Sequence, residues 1–258
     1  MAQVFAVVNQ KGGVGKTTTA VNLSAALADT GRRVLLIDCD PQANATRSAG
    51  VTQTPERSLY DLLVNGEQVG LADVTVETAT AGLYLVPSSA GLAGAEVELV
   101  NLWGRETRLR QALEVAPVQY DYVLLDCPPS LGLISVNALV AARGVLVPVQ
   151  CEYLSLEGLG MLMRTLELVQ RRLNPSLEVS GLIMTMFDPR TRLSAEVVAE
   201  VGRHFPKQRF DTIIPRNVRL SEAPSYGETV LQYAPGSPGA IAYRALASEM
   251  IDRFERPT

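Results

Sequence analysis

Asn9-Gln10-Lys11-Gly12-Gly13-Val14-Gly15-Lys16-Thr17-Thr18 lies between an apolar run, Val4-Phe5-Ala6-Val7-Val8, and a segment over 20–27 whose apolar residues recur at helical spacing. That order reads as a strand, a glycine-rich loop and a helix start. Such a loop cradles phosphate. Glycines at 12, 13 and 15 let the backbone approach a ligand and turn its N–H groups inward, and the helix beginning near Lys16 adds the positive end of its dipole. In this arrangement Lys16 bridges the outer phosphates and the Thr17 hydroxyl is a Mg²⁺ ligand.

The loop departs from G-x-x-x-x-G-K-[ST], because position 10 carries Gln10 where that pattern needs glycine, and a second lysine, Lys11, opens the turn. Lysine is otherwise scarce. Of 23 Lys+Arg only Lys11, Lys16 and Lys207 are lysines, so a chain that elsewhere uses arginine places two of these at the loop. A compact ammonium fits inside a phosphate loop where a planar guanidinium does not.

Residues 11–18 resemble the deviant phosphate loop of the ParA/MinD ATPases. The resemblance implies nucleotide contacts from Lys11, Gly12, Gly13, Val14, Gly15, Lys16, Thr17 and Thr18, with ATP and Mg²⁺ as cofactors. It also implies a catalytic role in trans for Lys11, since the first lysine of such loops reaches the nucleotide of the partner subunit in a face-to-face homodimer.

At 258 residues, 47% hydrophobic and 19% charged, the chain can bury a large core and reads as a single α/β domain over 1–258. No apolar run of about twenty residues is free of charge and the first residues enter a strand without a basic leader, so a cytoplasmic protein is expected. Cys39, Cys127 and Cys151 lack C-x-x-C spacing and read as reduced interior thiols, not a metal or cluster site. A net charge of −4 and a pI near 5.2 exclude a surface coated in positive charge. Any nucleic-acid contact must be a local patch.

The first helix should end near Gly31, and Arg33-Val34-Leu35-Leu36-Ile37-Asp38 then reads as a buried parallel strand running into Asp38-Cys39-Asp40-Pro41-Gln42. Tyr120-Asp121-Tyr122-Val123-Leu124-Leu125-Asp126 is a second such strand, followed by Cys127-Pro128-Pro129-Ser130. Acids at the C-terminal ends of parallel strands stand where open α/β sheets bind ligands. Period two puts Asp38 and Asp40 on one side with Cys39 turned away, and Asp126 reads as the second Mg²⁺ partner. Further strands are expected over 83–87, 144–149 and 179–186, with an extended edge piece over 74–78. Helices are expected over 59–63, 92–115 (broken around Gly104), 154–173 and 193–205. The fold class is α/β, a doubly wound, mostly parallel twisted sheet with helices on both faces. Trp103-Gly104-Arg105-Glu106-Thr107-Arg108-Leu109-Arg110 reads as a solvated helix face with one anchoring aromatic, His204 as a surface side chain, and Tyr226, Tyr233 and Tyr243 as packing.

Between 188 and 219 there are seven basic residues (Arg190, Arg192, Arg203, Lys207, Arg209, Arg216, Arg219) against four acidic ones (Asp188, Glu196, Glu200, Asp211). Ile213-Ile214-Pro215-Arg216-Asn217-Val218-Arg219-Leu220-Ser221-Glu222-Ala223-Pro224-Ser225 and, earlier, Asp38-Cys39-Asp40-Pro41-Gln42-Ala43-Asn44-Ala45-Thr46 resemble the chromosomal ParA/Soj branch, so the resemblance covers essentially the whole chain. It implies an ATPase that partitions chromosomes or plasmids, dimerises with ATP, binds double-stranded DNA non-specifically at the nucleoid and is stimulated by a ParB-like centromere-binding partner. Residue by residue, it implies Asp40 as the acid that polarises the attacking water, Asp38 in the metal's outer shell, and the adenine against Met184 and the Pro215-Arg216-Asn217 turn. Arg190 and Arg219, with Arg192 and Arg216 beside them, are the implied DNA contacts.

Two other readings stay open. A MinD-like positioning ATPase would hold a membrane through a basic amphipathic C-terminal helix. Here the stripe Ile241, Leu246, Met250, Ile251 and Phe254 carries three basic (Arg244, Arg253, Arg256) and three acidic residues (Glu249, Asp252, Glu255), a balance suited to packing on the core. A small-molecule kinase or ligase on the same fold would need an acceptor pocket, which the sequence does not reveal.

Overall fold

The computed structural model describes residues 2–52, 56–152 and 155–255. Leu154, the expected start of a helix, and Arg256, part of the C-terminal charge balance, lie outside the described residues. The strands are β1 (Gln3–Val7), β2 (Val34–Asp38), β3 (Val76–Glu77), β4 (Leu83–Val86), β5 (Tyr122–Asp126), β6 (Gly144–Gln150), β7 (Glu178–Phe187) and β8 (Arg209–Pro215). They form one sheet in the order β3-β4-β2-β5-β1-β6-β7-β8. All neighbours are parallel except β3 and β4. The helices are α1 (Lys16–Asp29), α2 (Asn44–Ser48), α3 (Leu59–Val64), α4 (Leu71–Val74), α5 (Leu92–Glu98), α6 (Arg108–Glu114), α7 (Leu133–Ala141), α8 (Ser155–Arg172), α9 (Arg192–His204), α10 (Arg219–Glu222), α11 (Val230–Tyr233) and α12 (Pro238–Phe254).

Alternate residues of the central strands enter two separate cores, as a sheet covered on both faces requires. Ala6, Leu35, Ile37, Val123 and Leu125 face the side of α3 and α5–α8, while Phe5, Val34, Leu36, Tyr122 and Leu124 face α1 and α12. By the same alternation Asp38 and Asp126 fall on the α1 face, and Cys39 and Cys127 on the other.

Helix α1 is buried on nearly every side. The polar residues that anchor it are bonded, while the buried Ser24 hydroxyl has no hydrogen-bond partner among the described residues. The Thr19 hydroxyl meets the Tyr243 hydroxyl at 3.1 Å, and Asn22 donates to Thr18 O at 2.8 Å while accepting from Val230 N at 2.7 Å. Clamped between the sheet and α11–α12, α1 fixes the loop that precedes it.

Three expectations need correction. Ile241 is 59% exposed, because the buried stripe of α12 is set by Ala242, Tyr243, Leu246, Ala247 and Met250. Small residues on that stripe let α12 approach α1, and Ile241 falls about 100° to one side of Ala242. Trp103 is 97% exposed and anchors nothing. Tyr226 is also exposed, its ring stacked on Tyr233 with centroids 5.0 Å apart.

Candidate nucleotide site

The loop between β1 and α1 takes its shape from Gly13 (φ 73°) and Gly15 (φ 91°), both in the left-handed region that side chains other than glycine rarely adopt. Its walls are fixed from three directions. Asn9 accepts from Lys11 N at 3.0 Å and donates to Pro148 O at 2.8 Å, and the Thr185 hydroxyl donates to Val14 O at 2.9 Å. Lys16, nearly buried at the helix start, points its ammonium back to Lys11 O at 3.1 Å. Burial pushes the Lys16 ammonium below its usual pKa, while the charges of Asp126, Asp40 and Cys127 work the other way. Gly12 is exposed, and Thr17 and Thr18 lie half-buried on the first turn.

Opposite the loop, Asp38 and Asp126 stand side by side, paired in register at the ends of β2 and β5. Their surroundings differ. Asp38 accepts from Thr46 N and Thr46 Oγ1, both at 2.7 Å, and from Asp40 N at 3.1 Å. Burial raises its pKa to about 6 in spite of those donors. Asp126 is fully buried, and neither of its oxygens has a hydrogen-bond partner of good geometry. Burial and the neighbouring Asp38 push its pKa far up, and a nearby Thr17 hydroxyl and Lys16 offset only part of that. An orphaned buried carboxylate is costly and stays in a fold when a cation belongs beside it. Carboxylate and hydroxyl oxygens are hard donors of the kind Mg²⁺ selects, so Asp126 and Thr17 fit that ion, with Asp38 behind them. Asp40 lies past the end of β2, half-exposed, its Oδ1 accepting from Gln42 N at 2.9 Å.

A cavity of about 260 Å³ opens beside Gly15 and Thr18, lined by Pro215, Arg216 and Asn217. Met184 does not reach it. That side chain is fully buried in the core on the α8 side of the sheet, and Thr185 and Met186 line the cavity instead. Alternation along β7 sends Met184 to the α8 side with Leu182, and Met186 holds φ 53°, where the backbone turns near the end of the strand.

Lys11 is held by its own chain: Nζ lies 3.9 Å from Glu152, whose other oxygen lies 3.6 Å from Arg216 and accepts from Gln150 at 2.7 Å. Each implied DNA contact likewise has an acidic partner. Arg190 forks onto Asp188 at 2.9 and 2.7 Å and holds its carboxyl down at about 2, Arg192 meets Glu196 at 2.8 Å, and Arg219 meets Glu222 at 2.7 Å. All four arginines are exposed. Sequence reasoning missed Thr46, Thr185, Met186 and Glu152. Only Glu152 left a signal, an acid just past the end of a buried strand in the relation that Asp40 has to β2.

A family model described as AAA domain matches residues 2–179. Among curated proteins, the sporulation initiation inhibitor protein Soj of Bacillus subtilis is 50% identical over 97% of this chain and 98% of its own length. The chromosome partitioning protein ParA of Caulobacter vibrioides is 50% identical over 97% of this chain and 94% of its own. The chain belongs to the ParA/Soj family. Among solved structures, cobyrinic acid a,c-diamide synthase from Mycobacterium smegmatis, with bound ATP analogue and magnesium, has the same fold with a TM-score of 0.85 at 38% identity, covering 99% of this chain and 96% of its own. The eight-stranded sheet is thus the P-loop sheet of the ParA/Soj family.

Proposed function

We propose that this chain is a partitioning ATPase that binds Mg-ATP at the 11–18 loop, dimerises through Lys11, holds DNA without sequence preference and is reset by a ParB-like partner in the cytoplasm. The orphaned carboxylate of Asp126 beside Thr17 and the phosphate loop carries the nucleotide half of this reading. The family relatives named Soj and ParA support the partitioning half.

Lys16 turns its ammonium from Lys11 O to the outer phosphates, and the inward N–H groups of the loop with the α1 dipole hold the rest. Mg²⁺ supplies charge neutralisation at the transferring phosphoryl group. Asp40, anchored by Gln42 N and free on its other oxygen, aligns and polarises the attacking water. Lys11 leaves Glu152 for the nucleotide of the facing subunit, adding positive charge where the transition state needs it. Pairing two subunits doubles the arginines available to one DNA segment, so nucleotide gates DNA affinity. Exposed ion pairs such as Arg190–Asp188 are weak and exchange readily for phosphate.

Gel filtration with non-hydrolysed ATP, and DNA retention on the same samples, test this directly. Asp40→Ala should dimerise and retain DNA without turnover, and Lys11→Ala should bind ATP as a monomer. Arg219→Ala or Arg190→Glu should dimerise but lose DNA. Normal hydrolysis by Asp40→Ala, or DNA retention by both arginine variants at matched salt, would sink the corresponding assignment.

A ligase reading rests on the solved relative that bears a diamide synthase name. Mg²⁺-dependent phosphate release with no added metabolite separates the two, because a ligase withholds turnover until its acceptor is present. No helix among the described residues is long and apolar enough to cross a membrane. Liposome pelleting distinguishes a MinD-like hold, which core-packed α12 does not favour.

A further inference from the structure

Val97, Val100, Trp103 and Val115 are all exposed, Trp103 almost completely, within the single stretch that links and flanks α5 and α6. Trp103 also forms a wall of two cavities. One, about 260 Å³, is bounded by Leu62, Glu67 and Arg108, and the other, about 440 Å³, by the loop over 100–106. A tryptophan is the side chain that most often dominates a protein interface, and a cluster of uncovered apolar groups marks such a surface.

The charge around this patch says what covers it. Residues 56–116 hold nine acidic side chains and four basic ones, more negative than the whole chain at −4. The four cations are already engaged. Arg57 meets Asp73 at 4.0 Å, Arg105 meets Glu106 at 2.8 Å, Arg110 meets Glu114 at 3.9 Å, and Arg108 donates to Leu63 O at 2.8 Å and Val64 O at 3.3 Å. Among the described residues Glu98 meets only the Tyr60 hydroxyl, and Glu67 has neither an ion pair nor a hydrogen bond. The occupant must cover indole and valine and bring positive charge to Glu67 and Glu98. Anionic lipid and nucleic acid carry the wrong sign.

We propose that the Trp103 face of α5 and α6 is the docking surface for a basic, amphipathic segment of a partner protein. The segment lays its apolar stripe over Trp103 with anchors in the two flanking cavities, and its cations face the carboxylates of Glu67 and Glu98, neither of which has an ion pair among the described residues. The face is tied to the nucleotide edge. Glu96 of α5 accepts from Leu133 N at 3.0 Å and Ile134 N at 3.3 Å, and Asn137 donates to Arg105 O at 2.6 Å, so α5 and the 100–106 loop grip the helix that follows Asp126. The surface itself stands apart from the nucleotide reading, and its binding test uses no nucleotide.

The probe is a labelled synthetic peptide of about twenty residues with lysines and a leucine stripe at helical spacing, set against a scrambled peptide of the same composition and an acidic peptide with the same stripe. Trp103 is the only tryptophan in the chain, so its emission reports its own burial while peptide anisotropy reports binding. The striped basic peptide should bind saturably and shift the emission to the blue, with both controls weaker by about tenfold. Trp103→Ala should weaken binding at least about tenfold. Glu67→Gln with Glu98→Gln should weaken it severalfold and flatten its salt dependence. Basal ATP hydrolysis should stay unchanged in all of them. Equal binding by Trp103→Ala, equal binding of the scrambled peptide, or no binding of the striped one overturns the proposal. So does a blue shift that grows with protein concentration alone, which would make a second copy the occupant, or one produced by anionic vesicles.

Discussion

Asp126 sits fully buried with no hydrogen-bond donor on either oxygen, and that makes it a liability in the nucleotide-free chain. Asp126→Asn removes the charge at constant shape. The nucleotide-free variant should be more stable than the parent by about 1–3 kcal/mol at neutral pH, while the added stability from Mg-ATP shrinks. Thermal melts with and without Mg-ATP check both signs. An unchanged melting point without nucleotide, together with a full Mg-ATP gain, would mean that the carboxylate bears no relation to the metal. At this scale the sequence was most readable where partners are close along the chain. Lys16 and Thr17 follow from the loop spacing, and Asp126 from its place at the end of an apolar run. Thr46 was not readable, because it reaches Asp38 from eight positions away through a bend at Ala43, one of two residues other than glycine with positive φ among the described residues. The other is Met186. Both stand at the nucleotide edge, where strained backbone is commonly retained for function, and neither left a trace in composition.

Among the elements, those expected from periodicity lie within a residue or two of their bounds, since buried parallel strands are short unbroken apolar runs, whereas α7, β8 and the short helices α2, α4, α10 and α11 were not foreseen. Faces were harder. The side of α12 that meets the core is decided by how closely alanines let it approach α1, which is a property of the pair and not of either sequence. Helix α12 also carries Glu249, which accepts from Asp211 N at 2.8 Å and Thr212 N at 2.9 Å and so caps the outer edge of β8. Partial burial disfavours its charge, but those donors, the Thr212 hydroxyl and Arg253 outweigh it and hold its carboxyl below the ordinary value. The sign follows from linkage: with a depressed native pKa, the contribution is complete above the unfolded value near 4.5 and is lost as pH falls through the lower, native one. Glu249→Gln should lower stability by about 1 kcal/mol at neutral pH and give a shallower loss on acidification. Denaturant titrations at neutral pH and at about pH 3 measure it, and equal acid slopes for variant and parent would remove Glu249 from the account.

Across the whole molecule, the acidic 56–116 segment surrounds the β3–β4 end of the sheet, while the basic 188–219 segment runs through β8 at the other end. Eight strands put those ends roughly 34 Å apart, several times the screening length of about 8 Å in physiological salt. DNA affinity should therefore fall with salt at a log–log slope of about −0.9 per phosphate contacted, and neutralising Glu67 and Glu98 should leave that slope unaltered. A change in slope would mean that the two ends sense each other. The sequence disclosed this separation only as two local counts, because their distance depends on a strand order that no single stretch encodes. In electrical terms the chain is a dipole. A polyanion aligns such a body before contact, as a field aligns a compass needle, so a molecule settled on DNA turns its negative pole, and with it the bare indole of Trp103, outward to the solvent. Cs⁺ should then quench that indole more strongly than iodide does, equally well on and off DNA, and a loss of Cs⁺ access on DNA would show that the needle points the other way.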